Sequence, residues 1–327
     1  MGLKDIKKSK DFLGLNKKKR KVKNKKGMFF TIISIIILSI FVLGYGIYSL
    51  SENQTSINRR IETMNSFVYS VEQDLPRQLY ITGFRVIFLS EKRIIETGVP
   101  ITNFSNTFME AFYNGTINGE IQPLMAGATI GDLKNQLSNI SRIMNLNGTF
   151  NPKRIIVSQE DSWNIKINME TELYINDLGN LASWNNTKNF TTYIPIENFE
   201  DPLYRLYSAG IAFNKIYRSP YQPFVNGNDV SNLTKHVEGF YYINSTISPS
   251  FIDRLEGRIV SSPYGIESLV DSQKLSSQGI PIKDTSVVDY LYLPSNMTSK
   301  NNILGMPGWF KLDGSHLEIY NVTGLVV

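Results

Sequence analysis

MFFTIISIIILSIFVLGYGIYSL, residues Met28 to Leu50, carries no charged side chain over 23 positions. A helix of roughly 20 apolar residues crosses the hydrocarbon core of a bilayer, so this stretch is expected to be a transmembrane helix. Its apolar core is longer than the about 7 to 15 residues of a cleavable secretory signal, and no A-x-A-like site follows it. A core helix of a soluble domain would show a polar face, and here Thr31, Ser34, Ser39 and Ser49 are only mild breaks. An uncleaved anchor is the expectation.

Charge orients it. The first 27 residues hold 12 Lys/Arg against Asp5 and Asp11, a net charge of +10, so the rest of a chain of +5 overall sums to −5. Lys and Arg beside a spanning helix keep that flank in the cytoplasm, and they are expected to attract anionic lipid head groups. A nucleic-acid partner is not expected, because a basic binding face belongs on the folded part. Lys17 to Val22 (KKKRKV) matches a nuclear-import pattern, but such runs are common by chance and this one lies beside the anchor. Gly2 is not expected to be acylated, since Ile6 stands where the pattern wants Ser or Thr.

The expected organisation is a basic cytoplasmic tail over 1–27, the transmembrane helix over 28–50, an amphipathic helical stalk over 51–100, and an extracytoplasmic α+β domain over 101–327. After the membrane, Ile57, Ile61, Met64, Val68, Val71 and Leu75 recur at alternating spacings of 4 and 3. That period continues the helix to Leu75, where Pro76 is expected to end or kink it. Fewer than three heptads do not make a coiled coil, and packing of the stripe on the chain's own domain is the plainer reading. Leu79 to Glu96 reads as a second helix, stopped before Gly98 and Pro100. Ser105 to Tyr113 reads as a short helix ended by Asn114-Gly115. Thr129 is placed to cap another, with Ile130, Leu133, Leu137, Ile140 and Met144 on one face.

From Arg154 to about residue 197 the period falls to two, as in an antiparallel meander, with Asn189 to Ile196 its last strand. Later strands are expected at Val237 to Ile243, Val287 to Leu293 and Trp309 to Val322. Helices are expected at Leu203 to Tyr217, Ser248 to Leu255 and Ile266 to Lys274. The fold class is therefore α+β: an N-terminal membrane helix continuing as an amphipathic helix, then helices and an antiparallel sheet.

No cysteine occurs. A long exported region can bury a core without disulfides, and their absence fits a prokaryotic surface protein better than an animal receptor. Eleven Asn-x-Ser/Thr acceptors occur, at Asn53, Asn103, Asn114, Asn139, Asn147, Asn185, Asn189, Asn232, Asn244, Asn296 and Asn321. All lie beyond Leu50, as exported glycosylation sites should; Asn189, in an expected strand, is the candidate for a buried one.

Catalytic signals are weak. His236 and His316 are the only histidines. Asp313-Gly314-Ser315-His316 crowds Ser, His and Asp into one turn, whereas a triad converges from separate segments. No metal-binding spacing, Walker loop, G-x-S-x-G or cofactor box is present, so no catalytic, metal or cofactor residue is assigned. Asp201, Asp253, Asp271 and Asp289 read as turn and helix-end residues. Tyr204, Tyr207, Tyr217 and Tyr221 offer either core or a sticky face.

The junction Lys25-Lys26-Gly27-Met28-Phe29-Phe30-Thr31 resembles the class III signal of archaeal pilins, and the resemblance covers roughly residues 20–75. It implies cleavage by a peptidase after Gly27, before Met28. It also implies that the helix from Met28 through Leu75 packs inside a filament and carries a head outward, with copies of itself or other pilin-like subunits as partners. Ile32 stands where many bacterial pilins carry Glu, and the large head implies a minor pilin or pseudopilin.

Three functions are in view: a non-enzymatic, glycosylated surface protein acting in adhesion or as a pilin-like component; an anchored extracytoplasmic hydrolase; and a sensor. The last is disfavoured, because a 27-residue tail leaves no room for a signalling domain.

Overall fold

The structure, a computed structural model, describes residues 25–295 and 299–327. The chain divides into two units at Arg59/Arg60. In the first, helix α1 (Lys25–Thr97) begins, and nearly every side chain from Phe29 to Leu50 is exposed. Basic residues of the tail before Lys25 lie outside the described residues.

Within the second unit, Arg60–Val327, the remainder of α1 is the spine of a hydrophobic core. Met64, Phe67, Val68, Val71, Leu75 and Leu79 are buried, followed by Val86, Ile87, Leu89 and Ile94. The apolar stripe beyond the membrane segment is thus a packed face of the domain, with Ile61 left exposed. Pro76 neither ends α1 nor separates a second helix: the helix runs unbroken to Thr97, and the expected pair is one element. A proline inside a helix costs about 3 kcal/mol. Burial of Val71, Leu75 and Leu79 on either side offsets that cost, and an ion pair from Glu72 to Lys188 (3.1 Å) ties the same turn down.

Helix α2 (Phe104–Asn114) starts at Asn103, whose side chain accepts the Asn106 amide. It stops where Gly115 takes the left-handed conformation at φ 70°, as the Asn-Gly pair predicts. A small hairpin of β1 (Thr116–Ile117) and β2 (Glu120–Ile121) leads to α3 (Ile130–Ile143). Thr129 caps α3 through a reciprocal capping box with Asp132. Ile130, Leu133 and Leu137 are buried, but Ile140 and Met144, expected on the same face, are exposed near the helix end.

Strands β3 (Leu146–Asp161), β4 (Asn164–Asp177) and β5 (Ser183–Pro195) form an antiparallel meander with β4 central. Strict alternation in β4 buries Ile165, Ile167, Met169, Leu173 and Ile175 on one face. The sheet approaches α1 closely at Gly83, where an added Cβ would stand 2.3 Å from the tips of Ile167 and Ile194. Strand β3 starts eight residues before Arg154, and Pro152 is accommodated because β3 is an edge strand with a bulge there.

Beyond Pro195 the chain folds into short elements, most of which carry a second core while Tyr242, Phe251, Leu255 and Ile266 join the first. They are α4 (Pro202–Tyr207), α5 (Ser231–Glu238), β6 (Tyr242–Asn244), α6 (Phe251–Leu255) and β7 (Ile266–Ser268). Then come α7 (Ser272–Ser277), α8 (Asp289–Tyr292), β8 (Asn301–Asn302) and β9 (Lys311–Leu312). Several expectations are corrected here. Val237–Ile243 is mostly the end of α5 and a turn, Val287–Leu293 holds α8, and Trp309–Val322 keeps two residues of strand. Ile266–Lys274 is a strand followed by the start of α7, and the helix at Leu203 stops at Tyr207. Apolar runs this short fit either period.

Candidate functional site

The membrane candidate is the first part of α1. It is the one helix among the described residues long and apolar enough to cross a membrane, with an 18-residue window of mean hydropathy 2.5 and none of it buried. Two of its hydroxyls bond within the helix: Thr31 Oγ1 donates to the Gly27 carbonyl (3.2 Å) and Ser39 Oγ to that of Ile35 (2.8 Å). Such back-bonding reduces the cost of a hydroxyl in hydrocarbon. The bond between Gly27 and Met28 lies in the first turn of α1.

Apart from Asn53, the Asn-x-Ser/Thr acceptors fall within Arg60–Val327. Asn103, Asn114, Asn139, Asn147, Asn185 and Asn189 are exposed, as are Asn244 and Asn321. Asn189 is therefore not the buried exception, because it points from the outer face of edge strand β5. Asn232 is half-buried and donates to the Pro223 carbonyl at 2.9 Å. Asn53 lies in α1, and Asn296 lies outside the described residues.

Both histidines are sealed in the second core, His236 at 0 % and His316 at 1 % exposure. His236 Nδ1 meets Ser219 Oγ at 2.8 Å, its ring lies against Phe224 and Tyr320, and burial pushes its pKa down to about 3. It is neutral in the fold.

His316 does pair with Asp313, Nδ1 to Oδ2 at 2.7 Å, despite their closeness in sequence. The set is still not a triad. Ser286 Oγ donates to the same Asp313 oxygen (2.8 Å), and the far nitrogen Nε2 faces Tyr290 Oη (3.1 Å) and Glu267 (3.3 Å). No serine hydroxyl is set against the imidazole among these partners. Burial alone would lower the His316 pKa, but the hydrogen bond to Asp313 and the nearby charges of Glu267 and Asp313 outweigh it and raise it to about 9. The group is an imidazolium clamped between two carboxylates.

A measurable pH dependence follows. The folded pKa of about 9 exceeds the ordinary 6.5, so the stabilisation is complete below pH 6.5 and is lost as pH rises through about 9. Its size is on the order of 3 kcal/mol. Urea titrations of the full chain in detergent at pH 6 and pH 9 should show a decline that His316→Gln reduces; an equal decline in both proteins would contradict the clamp.

Beside this clamp lies a second charged cluster that the sequence reading did not assemble. Arg254, fully buried, bonds Asp201 and reaches Asp289 Oδ2 at 2.9 Å, both carboxylates also fully buried. Asp201 additionally caps α4 at the Leu203 amide and accepts from Tyr242 Oη (2.8 Å). Asp289 accepts from Ser268 Oγ (3.0 Å), itself 3.1 Å from Tyr204 Oη. Burial works against the Arg254 charge, and the two carboxylates outweigh it, leaving its pKa raised. Asp253 and Asp271 are helix caps, as expected. Of the tyrosines weighed as a sticky face, Tyr204 is core, while Tyr207 and Tyr217 are exposed.

No protein-family model, curated protein or solved structure matches the chain. Functional inference therefore rests on these residues. The histidines and the Arg254 cluster are sealed from solvent, His316 and Arg254 paired with carboxylates and His236 with Ser219 through Nδ1 alone.

Proposed function

We propose that the chain is a single-pass membrane protein with its basic amino terminus in the cytoplasm and Arg60–Val327 outside, serving as a non-enzymatic, N-glycosylated, pilin-like component of a surface or secretion apparatus. The observation that carries this is the change of character along α1. Its first part exposes apolar side chains from Phe29 to Leu50, and its later part is buried from Met64 beneath an antiparallel meander. One helix with an apolar, uncovered start and a packed end suits a subunit that is held by its amino terminus and displays a head. The charge split supports the orientation, and exposure of eight acceptor asparagines supports glycan display. The hydrolase reading loses its support where both histidines are closed off from solvent.

Mass spectrometry of the native protein tests the filament part. A mature amino terminus at Met28, with glycan mass on acceptors such as Asn114 and Asn185, is the expected result. An intact tail with unmodified asparagines would remove both the pilin-like assignment and the glycoprotein.

A further inference from the structure

Within Arg60–Val327, α1 faces the segment after β5 across a cavity of about 400 Å³, walled by Phe84, Phe88, Ile95 and Phe199 and reached by Glu91 and Glu200. Phe84 and Phe199 are in ring contact at 5.1 Å. Glu91 lies on the buried stripe of α1, between Ile87 and Ile94, and is only 7 % exposed. Its Oε1 has no hydrogen-bond partner.

The surrounding charges are already committed. Glu200 pairs with Arg205 (3.1 Å), Glu197 with Arg218 (2.9 Å), Lys92 with Glu96 (3.7 Å), and Asp201 with Arg254. Lys215, on the segment bridged to Glu200, also lines the cavity but is exposed. Among the described residues Glu91 has no basic group within ion-pair distance. Burial pushes its pKa up, the charges of Glu200 and Asp201 add to this against the Glu200 backbone amide, and the result is about 9. The carboxyl holds its proton at neutral pH.

The chemistry of this lining selects its ligand. The unpartnered carboxyl of Glu91, already facing the charges of Glu200 and Asp201, disfavours an anion placed against it. A hard metal ion needs several converging oxygen ligands, and among the described residues no cluster of three or more acidic or histidine side chains is placed to hold one. A cation with an apolar body meets both components at once: the carboxylate opposes its charge and the ring faces attract it. We propose that this cavity binds an organic ammonium ion bearing an apolar group, with its charge against Glu91 and its apolar part against Phe84, Phe88 and Phe199. Binding exchanges the Glu91 proton for the cation, and the proton leaves to solvent. This site is independent of the pilin-like reading.

The probe is benzyltrimethylammonium, whose charge does not titrate, with benzyl alcohol as neutral control. Both are titrated into the full chain in nonionic detergent and followed by calorimetry and saturation-transfer NMR. Affinity for the cation should rise about tenfold per pH unit, roughly a hundredfold from pH 6 to pH 8, with about one proton released per cation bound. Glu91→Gln, isosteric with the protonated acid, should keep the circular dichroism of the parent and lose the binding. Phe88→Ala, at a half-exposed ring, should weaken it several-fold. Absence of binding at pH 8, binding independent of pH, equal binding by folded Glu91→Gln, or equal affinity for benzyl alcohol would each overturn the proposal.

Discussion

Arg254→Ala is expected to destabilise Arg60–Val327 by about 3–5 kcal/mol, a large part of the roughly 5–15 kcal/mol that holds a typical domain together. The guanidinium joins elements distant in sequence. It bonds Asp201 at the start of α4 and the Ile266 carbonyl of β7, and it reaches Asp289 of α8 at 2.9 Å. Truncation would leave two carboxylates buried at 0 % exposure without a counter-charge, and an uncompensated buried charge is what makes such deletions costly. The thermal midpoint of the full chain in detergent, followed by near-ultraviolet circular dichroism, should fall by roughly ten degrees. Replacing all three groups together, Asp201→Asn, Arg254→Met and Asp289→Asn, should recover part of the loss. A single variant within about two degrees of the parent would show that the network contributes little.

Ile36→Arg combined with Ile40→Arg is expected to release the protein from membranes. Fourteen Leu, Ile, Phe and Val residues lie between Met28 and Leu50, each favouring insertion by about 0.3–0.6 kcal/mol on the biological scale. Two arginines near the centre oppose it by about 2.5–3.5 kcal/mol each, enough to bring the balance close to zero. Both positions are exposed on α1, so the folded unit from Arg60 onward loses no packing. The variant should move from the carbonate-resistant to the soluble or aggregated fraction, while Ile36→Leu with Ile40→Leu stays resistant. Full carbonate resistance of the arginine variant would argue against a spanning helix.

Features encoded locally were legible in the sequence. Uncharged length marks the first part of α1, the 4–3 spacing from Met64 to Leu75 marks its buried face, and Thr129 and Gly115 mark helix ends through capping and left-handed geometry. The alternation of β4 stands out because one face is wholly buried and every second residue records it. Pro76 misleads because its penalty is local whereas the compensating burial of Val71, Leu75 and Leu79 is tertiary. Beginning the meander at Arg154 missed the alternating burial of Leu146, Gly148 and Phe150, hidden behind Asn145 and Pro152.

Past Pro195 the elements are two to eight residues long, too short for either period to register. The charged cluster is harder still, since Asp201, Arg254 and Asp289 are 53 and 35 residues apart along the chain and only the fold brings them together. Glu91 left one clue. It occupies the apolar register of α1 at the spacing Ile87, Glu91, Ile94, where an acid is out of place unless something compensates it.

The absence of cysteine allows a direct test of the proposed topology. Single cysteines introduced as Ser9→Cys in the basic tail and Ser276→Cys at an exposed position of α7, both in a Gly27→Val background that blocks the proposed cleavage and so retains the tail, would be challenged in intact cells with a membrane-impermeant maleimide. Labelling of Ser276→Cys at once, and of Ser9→Cys only after permeabilisation, is the expected result. Labelling of Ser9→Cys in intact cells, or protection of Ser276→Cys until the membrane is breached, would contradict an anchored protein displaying Arg60–Val327 outside.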